Sequence, residues 1–158
     1  PQLLPLGVCE MSFNAIDYLP QPKLSSVIQL PALALEQCAF AAGLLGFRVF
    51  DIDLQSCQTK EMLLRELAKV MCLPDYFGHN WDALSDILTD TDFFDAPGVL
   101  VLVRNEAAFS KAQPEDFTVF YEILTEAAHF WAEDDMPFWA CFQSTLSHEA
   151  DAAGFGLD

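Results

Sequence analysis

The chain has 158 residues, 53% hydrophobic and 13% aromatic, enough apolar material to fill one core and to exclude global disorder. Its 24 acids against 7 bases give a net charge of −17. That balance excludes nucleic acid and anionic membranes as partners, because both are gripped by positive charge. High negative charge aids solubility in any protein. It also speeds capture of a cationic one.

Residues 1–31 hold five prolines and read as a broken, loop-rich lead-in. Within it, Ser26–Leu30 (SVIQL) has the composition of a short strand, ended by Pro31. Ala32–Leu45 is rich in helix formers and stops at Gly46. Phe47–Leu54 (FRVFDIDL) alternates apolar and charged residues and reads as a strand. Thr59–Met71 is predicted to be an amphipathic helix with Met62, Leu63, Leu67 and Val70 inward and Lys60, Glu61, Arg65, Glu66 and Lys69 in water. Leu73-Pro74 ends it.

Gly78 permits a turn, and Asn80 is a natural N-cap for a short helix over Trp81–Leu88. In that helix Trp81, Leu84 and Leu88 are expected to point inward, and Asp82, Ser85 and Asp86 outward. Gly98–Val103 (GVLVLV) is an unbroken apolar run, the mark of a strand covered on both faces. Pro114–Glu133 is a long helix with Phe117, Phe120, Tyr121, Leu124, Ala128 and Trp131 on its apolar side. Pro137–Phe142 closes the pattern as a strand, and a polar tail covers 144–158. The order β-α-α-β-α-β, with a β-α unit in front, argues for an α/β fold around a mostly parallel sheet.

The five cysteines form no CxxC pair and are odd in number, so they read as buried small hydrophobes in a reducing compartment. The first residues carry no basic segment followed by a long apolar run, so the expected location is cytoplasmic. His79, His129 and His148 are isolated, and no HExxH, GxSxG or P-loop motif occurs. These residues give no basis for expecting catalysis, a metal or a cofactor.

The stretch CLPDYFGHNWDALSDILTD (72–90) is the most informative. Asp82, Asp86 and Asp90 stand at i, i+4, i+8, along one side of a helix, and no Lys or Arg occurs between Lys69 and Arg104. Like charges at that spacing cost roughly 0.2–0.5 kcal/mol per pair, so the row does nothing for the helix itself. It suits a basic partner, with Tyr76 and Phe77 in the preceding loop as candidate aromatic anchors. Two other readings of the acids stand beside it: a docking module for some other basic protein, and a carboxylate enzyme using a divalent ion.

LPDYFGHNWDALSDIL closely resembles the core motif of the barstar family, intracellular inhibitors of the ribonuclease barnase, and the element order over 47–143 is similar to that family's. The resemblance implies a three-stranded, mostly parallel sheet with packed helices over 47–143. Residues 1–46 would be an extension that adds an edge strand and a helix. It also implies a protein inhibitor, not an enzyme. Its partner would be a basic ribonuclease, barnase-like or a toxin nuclease. Carried over by motif position, the binding surface would comprise Tyr76, Phe77, Gly78, Asn80, Asp82, Ser85, Asp86 and Asp90, with Glu126 of the long helix at its edge. Asp86 would meet the enzyme's basic catalytic cluster, supported by Asp82. Charge-steered, charge-coupled binding is a known behaviour of the barnase–barstar pair and comes with the resemblance. This chain departs from the pattern at Ser85, where the type protein has tryptophan, and at His79, Asp90 and Thr91.

Overall fold

Four parallel strands in the order β1-β4-β3-β2 form the centre of the molecule: β1 Val27–Leu30, β2 Arg48–Asp53, β3 Val99–Arg104 and β4 Phe138–Gln143. The structure is a computed structural model describing residues 14–74 and 77–144. Among the described residues seven α-helices surround the sheet: α1 Ala15–Tyr18, α2 Ala32–Leu44, α3 Lys60–Val70, α4 Trp81–Leu88, α5 Thr91–Phe94, α6 Ala107–Ala112 and α7 Pro114–Glu133. The fold is α/β and wholly parallel, and the leading β-α unit belongs to the same sheet.

β3 shows why its run is continuously apolar. Val99, Val101 and Val103 join a large core with α3, α4 and α7. Leu100 and Leu102 join a second core beneath α1 and α2. Alternate side chains of one strand thus fill two different layers, and both must be apolar. The first core is rich in rings: Phe94 meets Phe50, Phe93 and Trp131, and Phe142 meets Phe117 and Phe120.

β1 and β2 are consecutive in the chain yet lie at opposite edges of the sheet, so α2 crosses the second face between them. Buried polar contacts tie the leading unit to β4. The Trp139 indole N–H donates to the Leu19 carbonyl at 2.9 Å, and the Phe138 N–H to Ser25 Oγ at 3.3 Å. Cys38 of α2 and Cys141 of β4 are buried together, and their mutual hydrogen bond, with burial, pushes the Cys141 thiol well up. Arg104 donates to Asp51 at 2.8 Å and pairs with Glu36 of α2 at 3.0 Å, which raises its own pKa.

Several expectations need correction. Thr59 lies outside α3 as its cap, accepting from the Met62 N–H. Met62 is 37% exposed and Leu64 is buried in its place, so the inward face of α3 is Leu63, Leu64 and Leu67, with Val70 partly buried against the same core as expected. Cys72 is exposed, unlike Cys38, Cys57 and Cys141. Cys9 and the tail from 145 lie outside the described residues. Periodicity also misses α1, α5 and α6, each six residues or shorter. Among the described residues no helix is long and apolar enough to cross a membrane.

Candidate partner-binding site

The site begins in the loop before α4. A turn closes with the Phe77 N–H on the Pro74 carbonyl at 2.9 Å. Phe77 is 4% exposed, and its ring lies 4.9 Å from that of His79. It therefore supports the loop from beneath, and its side chain is not at the surface as a contact residue would be. His79 takes a left-handed φ of 54°, which turns the chain toward the helix. Asn80 then caps α4: its side-chain oxygen accepts from the Ala83 N–H at 2.8 Å, and its Nδ2 donates to the Gly78 carbonyl at 3.3 Å. A Cβ at Gly78 would lie 2.8 Å from that Nδ2, so a side chain there makes the Asn80 amide shift. Gly78, His79 and Asn80 are all exposed.

α4 is held from below. Leu84, Ile87 and Leu88 are buried. Trp81, expected in the core, is half-buried, its ring stacked on that of Phe120 of α7 at 6.4 Å. At the other end the Trp131 indole N–H donates to the Leu88 carbonyl at 2.8 Å in a buried bond. This bond satisfies a carbonyl that the helix end leaves open. Both ends of α4 are thus fixed to α7.

On the outer side Asp82 and Asp86 are exposed. The ion pairs among the described residues both belong to Arg104, so no Lys or Arg neutralises either acid. Ser85 is half-buried beside them, and its carbonyl accepts from Thr89 Oγ1 at 2.8 Å. Asp90, the third member of the row, lies past the end of α4. There it caps α5 by accepting from the N–H groups of Asp92 and Phe93 at 3.1 and 3.2 Å. Asp92 and Asp95 add two exposed acids that the i, i+4 pattern does not reveal. The cap signal of Asp90 before Thr91 and Asp92 was the clue to this segment. Glu126 is exposed on α7, the helix on which α4 packs. Tyr76 lies outside the described residues.

Chemically, this is a ledge of carboxylates on a helix tied to α7 at both ends. Among the described residues no group of three or more His, Cys, Asp or Glu side chains is arranged to hold a metal ion. What it offers is fixed negative charge on a helix whose position does not depend on those charges.

Residues 47–143, more than half of the chain, match the family described as Barstar (barnase inhibitor). The chain belongs to the barstar family. The matched segment runs from the residue before β2 to the end of β4 and includes the whole acidic ledge. Among curated proteins none matches the chain. Family membership makes a barnase-type ribonuclease the family-level partner, and the family is one of inhibitors.

Proposed function

We propose that this protein inhibits a basic ribonuclease by laying α4 and its preceding loop across the enzyme's active site. The observation that carries the reading is the pair Asp82 and Asp86, exposed and without a cationic neighbour, on a helix anchored at both ends by Trp81–Phe120 and Trp131–Leu88. Carboxylates held this way mimic RNA phosphates and pair with the Arg, Lys and His side chains of a nuclease site. Because the ledge is already formed, little ordering entropy is lost on binding. Gly78 and Asn80 shape the approach, and Tyr76, Ser85, Asp90 and Glu126 complete the proposed surface. Protection of the cytoplasm from such a nuclease, produced by the same cell or arriving as a toxin, is the setting this mechanism suits.

The test is a panel of basic ribonucleases assayed with the wild-type protein and with Asp86→Ala. The expected result is tight inhibition of at least one enzyme, weakened by roughly 2–5 kcal/mol in the variant if the lost carboxylate faces a desolvated cation. Association should also slow steeply with salt. Equal inhibition by the two proteins would sink the proposal.

A second reading rests on Ser85. A small, half-buried hydroxyl stands on the outer side of α4 where the family's type protein carries tryptophan, so the ledge lacks an aromatic anchor. The same scaffold would then dock a basic protein that is not a nuclease. Recovery of a non-nuclease basic partner, lost on Asp86→Ala, would select that reading.

A further inference from the structure

The three most exposed large hydrophobic side chains among the described residues all lie on one helix: Leu33 at 70%, Phe40 at 71% and Leu44 at 66%. With Gln37 they stand at i, i+4, i+7 and i+11 of α2, along one side. The opposite side of α2, with Leu35, Cys38 and Ala42, is buried in the second core. α2 therefore carries large apolar side chains on two opposite sides, broken only by Glu36 and Gln37, the pattern of a helix covered on both. Beside the stripe, α1 and α2 enclose a groove of about 510 Å³ lined by Asn14, Ile16, Glu36, Gln37, Phe40 and Leu44, among others.

We propose that this face is an interface between two copies of the chain, paired about a two-fold axis through α2. Two observations favour a second copy over other occupants. The first is charge. At a net −17, two copies repel over most of their surface. The one charged side chain of α2 is Glu36, and it is already paired with Arg104. This face therefore offers a basic partner little charge, one exposed acid that shares Arg104 with Asp51, and two acidic copies repel less here than across the acid-rich α4 face. The second is shape. A two-fold interface needs a patch that carries both projection and recess. Phe40 projects, and three residues on, Gly43 has nothing within 4 Å of where a Cβ would stand. Antiparallel pairing seats the Phe40 ring of each copy over Gly43 of the other, with Leu44 against the groove. Because α2 and α4 lie on opposite faces of the sheet, such a dimer leaves both acidic ledges open.

The experiment is sedimentation equilibrium of the full chain through the micromolar range, with Phe40→Asp, Gly43→Leu and Met62→Asp as variants and circular dichroism to monitor folding. A reversible dimer is expected, weakened at least about 30-fold by Phe40→Asp, as for loss of a central anchor. Gly43→Leu fills the recess without adding charge, improves helix propensity, and should weaken the dimer too. Met62→Asp removes an exposed hydrophobe from α3 and should change nothing. A monomer at every concentration overturns the proposal, and so does a dimer indifferent to both α2 substitutions. Protection of Phe40 from hydroxyl radicals in a strictly monomeric sample would place another part of the same chain on the groove, and equally overturns it.

Discussion

α4 and α2 lie on opposite faces of one sheet and solve the same packing problem differently. α4 buries Leu84, Ile87 and Leu88 and turns Asp82 and Asp86 to water, so its two sides are chemically opposed. α2 buries Leu35, Cys38 and Ala42 and turns Leu33, Phe40 and Leu44 to water, so its two sides are alike. The contrast shows that a uniform net charge of −17 conceals two unlike surfaces. One is built of unpaired charge on a locked helix and suits a cationic partner. The other is nearly free of charge, its single acid held by Arg104, and suits an apolar one.

The largest effect that would sharpen the contrast is the separation of binding from stability at Asp86. Asp86→Ala is expected to cost several kcal/mol in inhibition, yet less than about 0.5 kcal/mol in unfolding free energy, because an exposed, unpaired acid stabilises nothing. A large loss of stability in urea would show that the ledge is structural after all.

Trp131→Phe comes next. It orphans the buried Leu88 carbonyl, which should cost roughly 1–3 kcal/mol, with a further loss from the vacated volume. Because that bond holds the end of α4, the variant should also dissociate faster from a bound ribonuclease, measurable by surface plasmon resonance. Unchanged dissociation would break the link between the anchoring of α4 and binding.

Arg104→Met addresses the other face. It removes the clamp on Glu36 and Asp51, whose side chains are largely exposed, so the loss should be no more than about 1 kcal/mol. It should not alter inhibition. It would, however, free the Glu36 charge beside the apolar stripe and raise the salt dependence of any self-association.

The smallest effect lies in pH. Glu106 is 8% exposed and one of its oxygens has no partner, so burial raises its pKa above the ordinary carboxylate value. The folded state then binds the proton more tightly than the unfolded state. Stability is greatest below the unfolded pKa and falls as pH rises from that value through the raised folded one. Glu106→Gln should flatten this decline and leave the variant more stable at neutral pH. Chemical denaturation of both proteins at acidic and neutral pH measures it, and a steeper decline in the variant would refute the assignment.

Elements with a strong local cause were legible in the sequence. Pro114 opens α7 and the apolar repeat carries it to Glu133. Asn80 opens α4, and Leu88 is its last residue. The short α5 and α6 were not, because a single turn or two has no measurable period. Trp131 could be read as core, but its bond to the Leu88 carbonyl, 43 residues away, could not be read at all. Phe77 was legible as a loop aromatic, yet whether its ring faced a partner or the interior depended on the core beneath it.

By itself the sequence determined the α/β alternation, the acidic row and its freedom from local bases, since each is a property of residue order and spacing. Only the tertiary structure decided that β1 and β2 lie at opposite edges, that α2 therefore spans a whole sheet face, and that Trp131 of α7 holds the end of α4. Those outcomes depend on which distant segments come to share a surface. Periodicity reports which side of an element is apolar, but not what, if anything, covers it.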